Sequence, residues 1–277
     1  VLLSVFLYAD GKRERHTVLF VFRLVLSSVY FWSGLQKLNV HFAVEMFPWL
    51  SEFTGCRNYV EAHHWTAYAV AGLEAAAGIG LWAGPLRKTA AVIILGTHLF
   101  ILLSLGPTGH NWNSVVWPWN IAFAIMVYWS FIRESGPGGD AFAPGLKKKA
   151  GIAVTAALVT FLPVLNLFGC WDHFLSGSYY SSIVSSAVVV LPPEAQQVLP
   201  PSSREFQFYS KKENKLILLV DAWALDELKV PVYPEDRTHF VLAQQLRRYN
   251  HTAGCTGLRL FVKKRFEKET EAVYFSF

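Results

Sequence analysis

The sequence predicts a mainly α protein: a polytopic transmembrane helix bundle of about six crossings, the first truncated, with a small α+β extracytoplasmic domain at the C-terminal end. Three observations predict it. Of the 277 residues, 53% are hydrophobic and only 16% charged, and the apolar residues gather into long runs. Several runs approach the ~20 residues a helix needs to cross a bilayer. Lysine and arginine sit beside these runs, and after Cys170 the pattern changes to short alternating segments separated by turns.

Taken in order, VLLSVFLYADGKRER is an apolar run entering a basic loop and reads as the tail of a helix; no small-residue cleavage site follows, so it is not read as a signal peptide. Further crossings are expected at 17–38, 65–84, 89–106, 117–133 and 150–169. Placing the basic loops 11–16, 85–88 and 133–149 in the cytoplasm makes each segment reverse the last. Residues 39–64, 107–116 and everything after Gly169 then lie outside. ESGPGGDAFAPG, 134–145, is a flexible cytoplasmic linker. The expected division is a transmembrane domain over 1–169 and an extracytoplasmic domain over 170–277. Within the latter, PPEAQQVLPPSS (192–203) is a proline-rich connector. Phe206–Tyr209, Leu216–Val220, Leu258–Lys263 and Ala272–Phe277 read as strands and Pro234–Asn250 as a helix. The net charge of +5 lies in Lys12, Arg13, Arg15, Arg87, Lys88 and Lys147 to Lys149, beside membrane segments. That is the positive-inside pattern, so the expected partner is the lipid bilayer and not nucleic acid.

On the segment 17–38, Arg23, Ser27, Tyr30, Gly34 and Lys37 recur at helical spacing and form one polar or small stripe. An ammonium in hydrocarbon costs ~2.5–3.5 kcal/mol on insertion scales, so Lys37 needs a reason. Snorkelling to headgroups is one, for Lys37 and Arg23 alike. Glu74, nine residues past Trp65 in AVAGLEAAAGIGLW, is ~14 Å deep and must be protonated or paired. His98, ten residues past Lys88 on the next segment, reaches a similar depth from the other side. Glu74 and His98 are therefore the expected intramembrane pair, with Ala71 and Gly78 allowing close helix approach. A hydrogen bond that merely glues two helices is the bland alternative. Lys37, Glu74 and His98 form the candidate catalytic set.

In the outer loop GPTGHNWNSVVWPWN, Trp112 and Trp117 read first as an interfacial belt, while Asn113 and Asn120 could line a site mouth. With Arg23, Tyr30 and Gly34 these complete the candidate ligand-binding set. No metal site is expected, since Cys56, Cys170 and Cys255 have no CxxC spacing and His63–His64 is only an adjacent pair in a loop. All three cysteines fall on the oxidising side, so a disulfide from Cys170 to Cys56 or to Cys255 is expected.

YFWSGLQKLN, GLEAAAGIGLWAGPLRKTAAVIILGTHLF and WPWN resemble the membrane core of the HTTM family, the domain of vitamin K-dependent γ-carboxylase. They are also similar to DoxX/MauE-like membrane proteins, which are associated with quinone-linked sulfur or disulfide redox work. The resemblance covers about 17–132. By it, Lys37 maps onto the carboxylase lysine that deprotonates vitamin K hydroquinone. Gln36 and Asn39 depart from that motif, and the large lumenal domain is missing, so the carboxylation itself is not implied. What is implied is a cavity for a quinone-like or lipidic molecule. LNLFGCWDHFLSGSYYS and VDAWALDELKVPVYPEDR look like a tail on some bacterial members, implying a bacterial inner membrane.

Three functions compete. The first is an accessory subunit of a larger membrane complex, which needs an apolar perimeter, other membrane subunits and an external domain. The second is a membrane oxidoreductase or quinone- or lipid-handling enzyme acting through Lys37, Glu74 and His98, with a bound quinone or lipid as the cofactor. Whether the chain is an enzyme stays open. A transporter fits less well, since broken helices and paired half-repeats are absent from the pattern.

Overall fold

The computed structural model describes residues 12–133, 146–182, 184–197, 199–211, 214–230, 232–252, 258–263 and 273–276. The chain divides into two compact units, one formed by 1–111 with 116–182, the other by 112–115 with 183–277. Residues 170–182 thus belong with the helices, and the sheet unit begins after them.

The helical unit opens with α1, Lys12–Gln36. Short turns at Phe42–Met46, α2 (Phe47–Leu50) and α3 (Arg57–Ala62) follow, then α4, Trp65–Gly80. The side chain of Asn39 organises the exit from α1. Its Oδ1 accepts from the Phe42 amide, and its Nδ2 donates to the carbonyls of Gln36 and Ser181, each bond 2.9 Å. A turn through Gly84–Pro85 leads to α5, Arg87–Leu105, which ends at Gly106. A methyl on Gly106 would sit 2.3 Å from the Leu102 carbonyl, so glycine is required there. Asn111 and Asn113 take positive φ (47° and 51°), a conformation asparagine tolerates, and turn the chain into α6, Val116–Val127. A π turn, Tyr128–Arg133, continues α6. The last helical run is α7, Leu146–Ala156, extended by a π turn to Phe161 and a 3-10 turn over Leu162–Phe168.

Among the described residues, three stretches are long and apolar enough to cross a membrane: Val18–Gln36, Arg87–Leu105 and Gly151–Phe168. Of the other expected crossings, α4 has 16 residues, short of the ~20 that a bilayer requires, while α6 with its π turn covers 116–133. The opening run at 1–9 and the linker 134–145 lie outside the described residues, as does Cys255.

α1 packs against α4 most closely of all the helices, and small residues explain why. A Cβ on Gly34 would fall 2.3 Å from the Ala75 nitrogen and 2.6 Å from the Ala71 carbonyl; one on Gly78 would fall 2.5 Å from the Phe31 nitrogen. The two backbones are in contact at both crossings, as small-xxx-small faces permit. Around this line Phe22, Leu26, Tyr30, Ala77, Leu81, Ile94, Val127 and Phe131 form the core of α1, α4, α5 and α6. A second cluster, Phe42, Phe47, Val60, Ala67 and Ala71, seats the turns between α1 and α4.

The segment after α7 folds back on α1. Gly177, at φ 69°, lies so close to α1 that a Cβ there would sit 3.1 Å from the Val29 carbonyl oxygen and 3.4 Å from the Ser33 nitrogen. Phe174 stacks on Tyr179, whose burial, reinforced by Asp172, pushes its hydroxyl above the usual tyrosine range.

The second unit is a five-stranded antiparallel sheet in the order β2-β3-β1-β4-β5. Its strands are β1 Ser186–Leu191, β2 Gln207–Ser210, β3 Lys215–Leu218, β4 Arg259–Lys263 and β5 Val273–Ser276. Central β1 is paired on both sides: Val189 opposes Leu218 on one and Leu260 on the other, and none of the three is exposed. Helices α8 (Val220–Leu228) and α9 (Asp236–Thr252) add Val220, Ala243 and Leu246 to the core. The expected connector 192–203 follows β1 inside this unit. Its prolines start two 3-10 turns, Pro193–Gln197 and Pro201–Phe206; Ala195 of the first and Leu199 between the two enter the core, so the stretch is part of the domain.

Candidate functional site

The polar stripe of α1 faces inward along its length. Arg23, Ser27, Tyr30 and Lys37 are all buried, because the helix presents one side to α4, α5 and the π turn after α6. Each residue meets a definite partner. Arg23 donates from Nε and a terminal nitrogen to the Ser130 carbonyl (3.0 and 2.8 Å) and lies over the Phe131 ring. The π turn that holds Ser130 breaks the regular helical ladder, a feature common at functional sites. Ser27 accepts from Trp82 Nε1 at 2.6 Å.

Lys37 does not reach for headgroups. Its Nζ turns back along α1 to Ser33 Oγ (2.9 Å) and across to Glu74 Oε2 (2.7 Å), with only 10% and 6% of the two side chains exposed. Charge-assisted bonds of this length are the strong kind. The expected Glu74–His98 pair is therefore corrected: the direct partner of Glu74 is Lys37. α1, and not the helix carrying His98, lies in backbone contact with α4 at Gly34, which leaves Glu74 facing the end of α1.

His98 is held by others. Its Nε2 is 2.8 Å from the Tyr30 hydroxyl and its Nδ1 is 2.9 Å from Asn120 Oδ1, while Asn120 Nδ2 donates to the Val116 carbonyl at 3.0 Å. Phe123 stacks on the imidazole. The two groups lie along one helix face: Tyr30 and Lys37 are about two turns apart on the buried stripe of α1. One ion pair and one Tyr–His–Asn chain thus share a region of the helical core. This arrangement can bind a polar oxygen and move a proton among hydroxyl, imidazole and carboxylate.

Other expected residues lie apart from this cluster or serve the fold. Gly34 is the helix contact itself. Trp117 donates to the Leu105 carbonyl at 3.0 Å and ties α6 to the end of α5. Trp112 and Asn113 group with the sheet unit. Among the described residues, no group of three or more His, Cys, Asp and Glu is placed to hold a metal ion. Cys56 and Cys170 are free, exposed thiols, so the expected bridge between them is absent; each sulfur points to a local carbonyl, Thr54 and Phe168 respectively. Ser33 is a site residue beyond the expected set, although its place four residues before Lys37 marks it as a same-face neighbour. Ser130 and Val116 contribute only carbonyl oxygens, for which no side-chain signal exists.

Part of the helical unit that carries this site is similar to a known family. Residues 18–106 match the DoxX family model. That stretch holds Arg23, Tyr30, Lys37, Glu74 and His98, but not Asn120. No curated protein and no solved structure matches the chain. With the three apolar helices, the DoxX match supports a membrane-embedded protein in contact with the lipid bilayer.

Proposed function

We propose that the helical unit binds a quinone-like or lipidic molecule through an oxygen-bearing head and exchanges a proton with it at the Lys37–Glu74 and Tyr30–His98–Asn120 cluster. The observation that carries this reading is the 2.7 Å ion pair buried beside a hydrogen-bonded histidine in apolar helices. Ionisable groups inside a membrane are costly, and those that persist line ligand or proton paths. Lys37 provides positive charge for a developing oxyanion, while Tyr30 and His98 give and take protons at the ligand oxygen. The resemblance to HTTM proteins at YFWSGLQKLN supports the same direction. The site sits in a bacterial inner membrane, with the sheet unit on the extracytoplasmic side.

A second reading, the accessory subunit of a larger membrane complex, is favoured by the segment Gly151–Phe168. Only 11% of it is buried, and it offers Val154, Leu158, Phe161 and Phe168 to lipid or to another subunit. One preparation separates the two. The full chain, purified in mild detergent, is extracted and analysed for quinone, then titrated with a short-chain ubiquinone analogue while tryptophan fluorescence is followed. The ligand reading expects saturable quenching, weakened at least ~tenfold, about one charge-assisted bond, in Lys37→Met and His98→Ala. Absence of saturable binding, or unchanged affinity in folded variants, refutes it.

A further inference from the structure

The hydrogen-bond chain at His98 has a direction, and that direction is fixed by a group that cannot reverse. The Val116 carbonyl can only accept, so the amide nitrogen of Asn120 must face it. Asn120 Oδ1, which also can only accept, is therefore the atom turned to His98 Nδ1 at 2.9 Å. Nδ1 then carries the proton. In the neutral ring this leaves Nε2 with a lone pair, and the Tyr30 hydroxyl 2.8 Å away must donate to it. Every donor in the sequence Tyr30, His98, Asn120, Val116 points the same way, and the chain ends at Tyr30 Oη as an acceptor.

We infer that Asn120 is a positioning residue that holds His98 in the Nδ1–H form, so that the Tyr30–His98 pair accepts a proton and selects a hydroxyl-bearing ligand over its carbonyl counterpart. This rests on the ligand reading above. In the step it supports, the ligand O–H bond breaks and its proton passes to Tyr30 Oη, while the proton of Tyr30 passes to His98 Nε2. Tyr30 ends neutral, His98 ends as imidazolium, and the ligand ends as an oxyanion beside the Lys37 ammonium that Glu74 holds. No electrons move, so no oxidant is required. The base in this scheme is His98, because Lys37 is already held as an ammonium by Glu74 and Ser33.

The test uses the full chain labelled with 15N-histidine in lipid nanodiscs, with His98 assigned by the signals lost in His98→Gln. Wild type should carry its proton on Nδ1. Asn120→Leu should give a mixture or the opposite tautomer, and Asn120→Asp, which keeps an acceptor oxygen, should restore Nδ1–H. A proton on Nε2 in wild type, or no change in Asn120→Leu, overturns the proposal. In parallel, the reduced and oxidised forms of one short-chain quinone are compared for affinity. The reduced form should bind roughly tenfold tighter, about one well-placed hydrogen bond, with the preference lost in Asn120→Leu. Tighter binding of the oxidised form overturns the inference. Binding of neither form, with Nδ1 protonated, overturns its ligand part and locates the fault in the ligand reading itself.

Discussion

Replacing Gly34 with alanine tests the packing that brings Lys37 to Glu74. The added methyl would lie 2.3 Å from the Ala75 nitrogen and 2.6 Å from the Ala71 carbonyl, both rigid helix backbone. Restoring an ordinary contact of 3.4 Å requires α1 and α4 to separate by about 1.1 Å. Carried to the neighbouring turn, that shift lengthens the 2.7 Å ion pair to about 3.8 Å, beyond hydrogen-bond range. Overpacking of this kind costs ~1–3 kcal/mol, and weakening the buried pair adds to it. At ~2–4 °C per kcal/mol the apparent unfolding midpoint should fall by about 5–10 °C. The assay is thermal unfolding in detergent at one scan rate. Gly72→Ala is the matched control, since a methyl there meets nothing within 4 Å and alanine favours helix. A Gly34→Ala protein within ~1 °C of the Gly72→Ala protein would refute the close crossing, whatever its sequence setting.

The ion pair itself is tested by a double-mutant cycle. Glu74→Leu alone strands a buried ammonium and should cost ~3–5 kcal/mol, while Lys37→Met with Glu74→Leu should recover much of it; equal losses in single and double variants would contradict the pairing. A fluorescent reporter that matures only in the cytoplasm, fused after Phe277, should stay dark if the sheet unit is extracytoplasmic, and a bright fusion would reverse the orientation. Native protein should give rapid thiol labelling at both Cys56 and Cys170 by peptide mapping, and protection of either would contradict their exposure.

Much of the helical architecture is legible in the sequence because bilayer length and helical period leave coarse marks. The spacing of Arg23, Ser27, Tyr30 and Lys37 places them on one face, and that face is buried. Which helix each residue meets is not legible. Depth alone makes Glu74 and His98 look like partners, yet depth carries no information about azimuth, and the Gly34 and Gly78 contacts turn Glu74 toward α1. The carbonyls of Ser130 and Val116 are invisible to any reading of side chains. In the sheet unit, four of the five strands are visible from alternation, with boundaries within a few residues. SAVVVL, the central β1, was hidden because burial on both faces removes the alternation. The prolines of 192–203 suggest a linker, and only the burial of Ala195 and Leu199 shows them to be structural.

Photolabelling asks the central question most directly: does a ligand meet the Lys37, Glu74 and His98 cluster? The full chain in nanodiscs is irradiated with a diazirine-bearing short-chain quinone, digested, and mapped by mass spectrometry, with excess unlabelled quinone as competitor. The expected result is competed labelling on peptides containing Tyr30 to Lys37, Glu74 or His98, lost in Lys37→Met protein that remains folded. Labelling confined to the exposed face of Gly151–Phe168, or labelling that no competitor reduces, would contradict a ligand site in the helical core.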